Sequence, residues 1–318
     1  MNETRWLPQF FGLAVLWGCS FAFIEVGLQA LTSIQVSFGR IFFGALTLLI
    51  ITLFTRARLP RGLRTWGHVV VVATLLNALP FTLFALGQQN VSSILAAIIN
   101  AATPLATLLA VIVAFPEEKP TWTRAAGLGL GFAGILVVLG IWQSMPSGEV
   151  GGILACFGAI ACYGVGIPYS RRYLSGSGAT PVGLATSQVS MAALLLVPVL
   201  LISGTSPIDQ VTGQIVLAML ALGSLGSGVA FILYFQVIAR AGATTASSVT
   251  YLTPVVAAIV GIAFLGERLT WNEPVGAAIV LLGVALSQSR AQRAKVGPRA
   301  SAKKQPAAAA ASTSSSSP

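Results

Sequence analysis

Charge is what this sequence has little of. Lys and Arg number 18 and Asp and Glu number 8, together 8% of 318 residues, against roughly 25% in a soluble globular domain. So few charges cannot cover the surface of a water-soluble domain of this length. A mean hydropathy of +0.86 with 55% apolar residues equally excludes a disordered chain. Histidine occurs once, as His68, so a zinc motif that needs two is excluded. His68 opens the third apolar run and reads as an interfacial residue. Cys19, Cys156 and Cys162 all lie within apolar runs. Cys156 and Cys162 stand six apart on one predicted helix, too far to bridge, and all three read as small buried apolar groups. No G-x-x-x-x-G-K-[ST] element is present, which argues against an ATP-driven pump within this chain. Gly129 to Gly134 does match G-x-G-x-x-G, but no strand precedes it and it lies inside an apolar run. The Gly127 and Gly131 spacing reads instead as close helix packing. No cofactor and no metal are expected.

What is present is a series of apolar runs of about 20 residues, the length that crosses a bilayer core. They cover 8–29, 34–54, 66–86, 91–114, 123–142, 150–170, 181–203, 213–237, 244–265 and 272–288. The first is long enough to span and lacks a cleavage site, so it is expected to be an uncleaved helix. Ten helices place both termini on one side. The cations identify that side: sixteen fall in segments on the side of the N-terminus, Arg268 alone falls opposite, and Arg40 lies within a run. The positive-inside bias predicts cytoplasmic termini. The net charge of +10 therefore records topology, and nucleic acid is not an expected partner. The lipid bilayer is one. Residues 289–318 turn basic and then Ala- and Ser-rich, and are expected to form a disordered cytoplasmic tail.

The chain also repeats itself. Thr103-Pro104 and Thr253-Pro254 are 150 residues apart, as are Ala96 and Ala246, Leu83 and Leu233, and Glu117 and Glu267. A one-residue shift then aligns Trp122 with Trp271, Gly127 with Gly276 and Gly134 with Gly283. Each copy holds five helices, an odd number, so the second copy is expected to lie inverted in the membrane. Inverted repeats with a site near the midplane are a recurring plan of secondary transporters. The expected architecture is thus all-α and membrane-integral, ten transmembrane helices as two inverted five-helix repeats at 7–142 and 150–288, followed by the tail.

Several residues carry a family resemblance. Trp17-Gly18-Cys19-Ser20-Phe21 resembles a Trp-Gly-x-x-Phe opening, and Arg40 an arginine early in the second helix. Ser93 to Pro104 and Thr245 to Pro254 resemble small-residue runs ending in proline in the fourth and ninth helices. Gly266-Glu267-Arg268-Leu269-Thr270 resembles a Gly-Glu-x-x-Thr element. Together these resemble the drug/metabolite transporter superfamily, EamA type, over about residues 7–288. Pro116 to Pro120 depart from the Gly-Glu-x-x-Thr pattern in the first copy. The resemblance implies ten helices in two EamA domains, a plasma-membrane location and transport of small organic solutes, often as export.

Candidate pathway residues follow from polarity within the runs. Glu25 and Arg40 are the two charges inside spans, and intramembrane charges are functional hypotheses by default. At 1.5 Å per residue both lie about 10–12 Å below the first hairpin turn, so an ion pair between them is expected. One reading makes the pair an element of the pathway, with Arg40 meeting an anionic group and Glu25 taking protons. The other makes it structural, or two groups reaching back to the interface. Asn77, Asn100, Gln188, Gln236 and Thr250 are mid-span polar groups, either inter-helix contacts or cavity lining. Trp17, Tyr163 and Tyr251 are aromatic candidates for the same cavity. Pro104 and Pro254 are candidate bending points in alternating access. The expected function is secondary transport of small organic metabolites, amino-acid-like or amphipathic, more as export than uptake. A membrane sensor or scaffold is the alternative class, and a homodimer is left open.

Overall fold

A computed structural model describes residues 6–114, 121–140, 142, 147–203, 211–242, 245–246 and 248–295, and every regular element among them is helical. Ten apolar helices follow one another: α1 (Leu7–Leu28), α2 (Ser33–Thr55), α3 (Leu63–Gly87), α4 (Ser93–Val113), α5 (Trp122–Val138), α6 (Gly148–Leu174), α7 (Pro181–Ser203), α8 (Gly213–Ala241), α9 (Ser248–Leu265) and α10 (Asn272–Ser287). Eight are long and apolar enough to cross a membrane, and α5 and α10 are shorter. The chain is an all-helical, multi-pass membrane protein.

Local chemistry sets the helix ends. Thr32 and Gln35 form a capping box at the start of α2, with Thr32 N–H donating to Gln35 Oε1 at 2.8 Å and Gln35 N–H to Thr32 Oγ1 at 3.2 Å. Ser92 caps α4 by accepting from Leu95 N–H at 3.1 Å. α5 ends at Val138, short of the predicted 142, because the chain turns through Gly140 with φ 54°. The last helix continues through Lys295, seven residues past the point where the sequence predicts the tail to begin. Gln, Arg and Ala in that stretch are good helix formers. Residues 296–318, the rest of the expected tail, lie outside the described residues.

Contacts between helices recur when each helix number is shifted by five. α1 packs on α9 as α6 packs on α4, and α3 packs on α6 as α8 packs on α1. α2 against α7 and α5 against α10 map onto themselves. Close approaches repeat in the same way. A Cβ on Gly164 of α6 would stand 2.8 Å from Ala106 O of α4, and one on Gly18 of α1 would stand 3.1 Å from Thr253 O of α9. α5 and α10 form an antiparallel pair whose backbones meet at glycine. A Cβ on Gly127 would lie 2.7 Å from Gly283 O, and one on Gly134 3.0 Å from Gly276 O. Lipid offers no hydrophobic drive between helices, so small residues that admit close van der Waals contact hold such pairs.

Two helix pairs carry irregularities at matched places. α3 widens to a π-turn at Thr74–Ala78 and α8 at Ala221–Val229. The widened turn of α8 packs on α2, and that of α3 packs on α7. α4 is interrupted at Ala102, between Ser93–Ala101 and Thr103–Ala114, and α9 begins as a 3₁₀ turn, Ser248–Tyr251, before Thr253–Leu265. Each break falls two residues before a proline, Pro104 or Pro254. Proline has no N–H for the preceding turn and is well placed at the start of the next helical segment.

Candidate functional site

The site is built around Arg40. It lies two turns into α2, and its guanidinium carbon sits 3.8 Å from the centroid of the Phe81 ring on α3. Its Nε donates to Ser227 Oγ on the widened turn of α8 at 3.2 Å. The Tyr163 hydroxyl of α6 lies within electrostatic reach of the guanidinium. Four helices therefore converge on one cation. Stacking on an aromatic face is worth about 2 kcal/mol when desolvated. It also fixes the guanidinium plane and leaves the edge open for a bidentate partner. Among the described residues the two terminal nitrogens have no acceptor.

The expected ion pair with Glu25 is not formed: among the described residues no carboxylate lies in salt-bridge range of Arg40. Matched depth on neighbouring helices fixes height and not azimuth. Arg40 faces α3 and α8, whereas Glu25 opens on a hollow of about 360 Å³ that it lines with Leu28, Gln29, Gln88 and Gln89. Oε2 of Glu25 is buried without a partner at hydrogen-bond geometry, and the Gln88 side chain stands near enough to act on the carboxyl. Gln88 is 3% exposed; its Nε2 donates to Phe21 O at 2.9 Å and its Oε1 has no partner. Glu267, in the turn between α9 and α10, is near enough for like charges to oppose each other. Its carboxylate accepts from Ser93 N–H at 2.8 Å and Ile94 N–H at 3.2 Å, so it caps α4 from across the molecule.

An aromatic contact separates the two charged places. Phe21 and Phe84 meet edge to face at 5.8 Å, both buried, and Phe84 packs on Tyr163 at 6.3 Å. In order along α3 come Phe81 under Arg40, Phe84 against Phe21, and Gln88 at the hollow with Glu25.

The other polar positions divide. Asn77 lies on the widened turn of α3, one helical turn from Phe81, fully buried with both amide atoms unpartnered. An unpaired buried polar group costs about 1–3 kcal/mol, so Asn77 is a costly residue at a central place. Gln188 is partly buried on α7, the helix on which that turn packs. Tyr251 packs in the same apolar cluster as Tyr163, Phe21 and Phe84. Trp17 sits elsewhere, against Tyr234 of α8 at 5.6 Å. Asn100 stands at the break of α4, where Thr103 Oγ1 donates to its carbonyl at 2.7 Å. Thr250 is in the 3₁₀ turn of α9 and Gln236 in the last turns of α8, both partly buried. Sequence reasoning missed Ser227, Phe81, Phe21, Phe84 and the capping role of Glu267. One signal was available: Ser227 stands 150 residues after Asn77, the offset of the Leu83 and Leu233 pair. Arg40 with Ser227 and Gln188 with Asn77 thus occupy corresponding places in the two halves.

Comparison with known proteins agrees with this architecture. The chain is 27% identical over 295 residues to "Uncharacterized inner membrane transporter YedA" of Escherichia coli (strain K12), covering 90% of this chain and 92% of that one. It is 25% identical over 290 residues to "Uncharacterized transporter YoaV" of Bacillus subtilis (strain 168), covering 89% and 97%. A solved crystal structure superposes with a TM-score of 0.62 at 18% identity, over 92% of this chain and 99% of its own, a likeness of fold. The model of the EamA-like transporter family matches residues 4–140 and 150–288. Ten apolar helices, a five-helix shift in the packing and a match over both halves give one conclusion: the chain belongs to the EamA-like transporter family.

Proposed function

We propose that this membrane transporter is a secondary exporter of small organic metabolites, working by alternating access around Arg40. The observation that carries the proposal is the guanidinium itself. A charge inside a span is costly, up to about 2.5–3.5 kcal/mol at the helix centre on insertion scales. A structural role would pair it with a carboxylate, and among the described residues its terminal nitrogens are unpaired. A solute group is the natural acceptor.

The two halves are read as inverted repeats, with both termini cytoplasmic and the protein in the plasma (inner) membrane. The five-helix shift in the contacts and the matched breaks before Pro104 and Pro254 support a two-fold plan. In that plan, tilting at those breaks exposes Arg40 to each side in turn, and the Phe21–Phe84 contact closes the outer side. Glu25 is the group proposed to exchange protons with the outside, supported by its unpartnered Oε2 and its place in the outer hollow. Substitution Glu25→Gln is expected to spare folding and to lower proton-coupled flux. Unchanged flux at normal membrane abundance refutes the proton role.

The experiment for the proposal as a whole is flux of labelled solutes in proteoliposomes with imposed gradients. Net exit from right-side-out vesicles that exceeds entry supports export. Preferential entry establishes an uptake permease of the same fold. Absence of any solute movement returns the alternative of a sensor or scaffold.

A further inference from the structure

The placement of charge inside the bundle limits what the solute can be. Of the eight acidic residues, Glu3, Glu117, Glu118, Glu149, Asp209, Glu267 and Glu273 lie at or beyond the ends of the apolar runs. The eighth, Glu25, faces the hollow on the far side of the Phe21–Phe84 contact from Arg40. Lys and His are absent from the middle of every run. Among the described residues, Arg40 is thus the one formal charge within the apolar runs on that side of the aromatic contact, the other cations there lying at or beyond the run ends.

From this we infer that the transported solute is an organic monoanion, a carboxylate bearing a second, uncharged hydrogen-bonding group. The inference rests on the proposed role of Arg40 in binding. The carboxylate meets the free edge of the guanidinium, whose plane is set by Phe81 below and Ser227 at Nε. The apolar part lies among Phe38, Phe231 and Phe235, which pack on the cluster that holds Phe81. The uncharged polar group meets Asn77, whose amide donates and accepts nothing in this arrangement. Asn77 sits four residues before Phe81, about 6 Å along the helix, within the reach of one small solute. A zwitterion finds no counter-charge for its ammonium there. A cation meets Arg40 as a like charge, and like-charge juxtaposition discriminates strongly against wrong partners.

A series on one carbon skeleton separates these cases: 2-hydroxyisocaproate (monoanion), leucine (zwitterion) and leucinol (cation), each as the labelled solute in counterflow with the purified full chain in proteoliposomes. The expected result is exchange of 2-hydroxyisocaproate at least tenfold faster than leucine, and none of leucinol. In Asn77→Leu the preference of 2-hydroxyisocaproate over isocaproate is expected to disappear, while the preference for anion over zwitterion stays. In Arg40→Lys, which keeps the charge and loses the planar fork, anion exchange is expected to fall without a change of charge class. Exchange of leucine or leucinol at rates equal to or above the anion overturns the inference and leaves the transporter reading standing. Failure of all three, from monodisperse protein that is stable in detergent, overturns both.

Discussion

Two residues at the centre of the bundle are thermodynamically expensive in opposite ways. Among the described residues, no carboxylate neutralises the charge of Arg40 and no group satisfies the buried amide of Asn77. Evolution toward stability alone would remove both, so their presence is an argument from function. A stability test follows. Asn77→Leu deletes two unpartnered polar atoms at nearly constant volume and strands no partner, so thermal stability is expected to rise, by about 1–3 kcal/mol at most. Solute exchange is expected to fall in the same variant. A drop in the melting midpoint contradicts the reading of Asn77 as unsatisfied. The sequence made both residues visible through polarity inside an apolar run. It did not reveal their partners. Glu25 and Arg40 are matched in depth, and depth follows from counting residues. The direction each side chain faces around its helix depends on which helices pack there, and no count within one helix supplies that.

Helix pairs explain where rigidity and movement reside. α5 and α10 meet backbone to backbone, and a side chain there has nowhere to go: a Cβ on Gly127 would stand 2.6 Å from Ser287 N. Gly127→Val is expected to reduce folded protein in the membrane severely, whereas Gly129→Ala, where nothing lies within 4 Å, is expected to behave as wild type. Fluorescence size-exclusion of tagged variants reads both. The sequence indicated this interface through the G-x-x-x-G spacing, although a single spacing names no partner helix. The cap of α4 by Glu267 was not legible at all. Its target is two amide hydrogens some 174 residues earlier in the chain, on a helix start that sequence periodicity leaves undefined. In Glu267→Gln the charge-assisted bonds weaken, by about 1 kcal/mol. Amide exchange at residues 93–96 is expected to quicken while the middle of α4 keeps its protection. Uniform protection would contradict the cap. The widened turns of α3 and α8 were equally hidden, because a π-turn arises from packing against α2 and α7 and leaves no mark in hydropathy.

At the scale of the whole molecule, the number of helices and their grouping were the most legible features. Lipid requires long uninterrupted apolar helices, so the runs between 8 and 288 map closely onto α1 to α10. Boundaries moved by about four residues where α6 runs on to Leu174, α8 to Ala241 and α9 starts at Ser248, and where a glycine turned the chain early at Gly140. They moved by more where good helix formers carried the last helix on to Lys295. Orientation belongs to this scale as well. Sixteen cations on one side against Arg268 on the other predict cytoplasmic termini. A C-terminal green fluorescent protein fusion is then expected to be bright and a C-terminal alkaline phosphatase fusion inactive, and the reverse pattern would invert the assignment of inner and outer sides. On that reading the scarce cations serve two purposes, with nearly all of them fixing orientation and a single guanidinium left within the bundle. The most direct test of that last statement is counterflow of a labelled organic anion in proteoliposomes holding equal amounts of wild type and Arg40→Gln. Because no carboxylate is stranded by the change, the variant is expected to fold and reconstitute normally and to lose at least tenfold in exchange. Exchange at the wild-type rate would contradict the account.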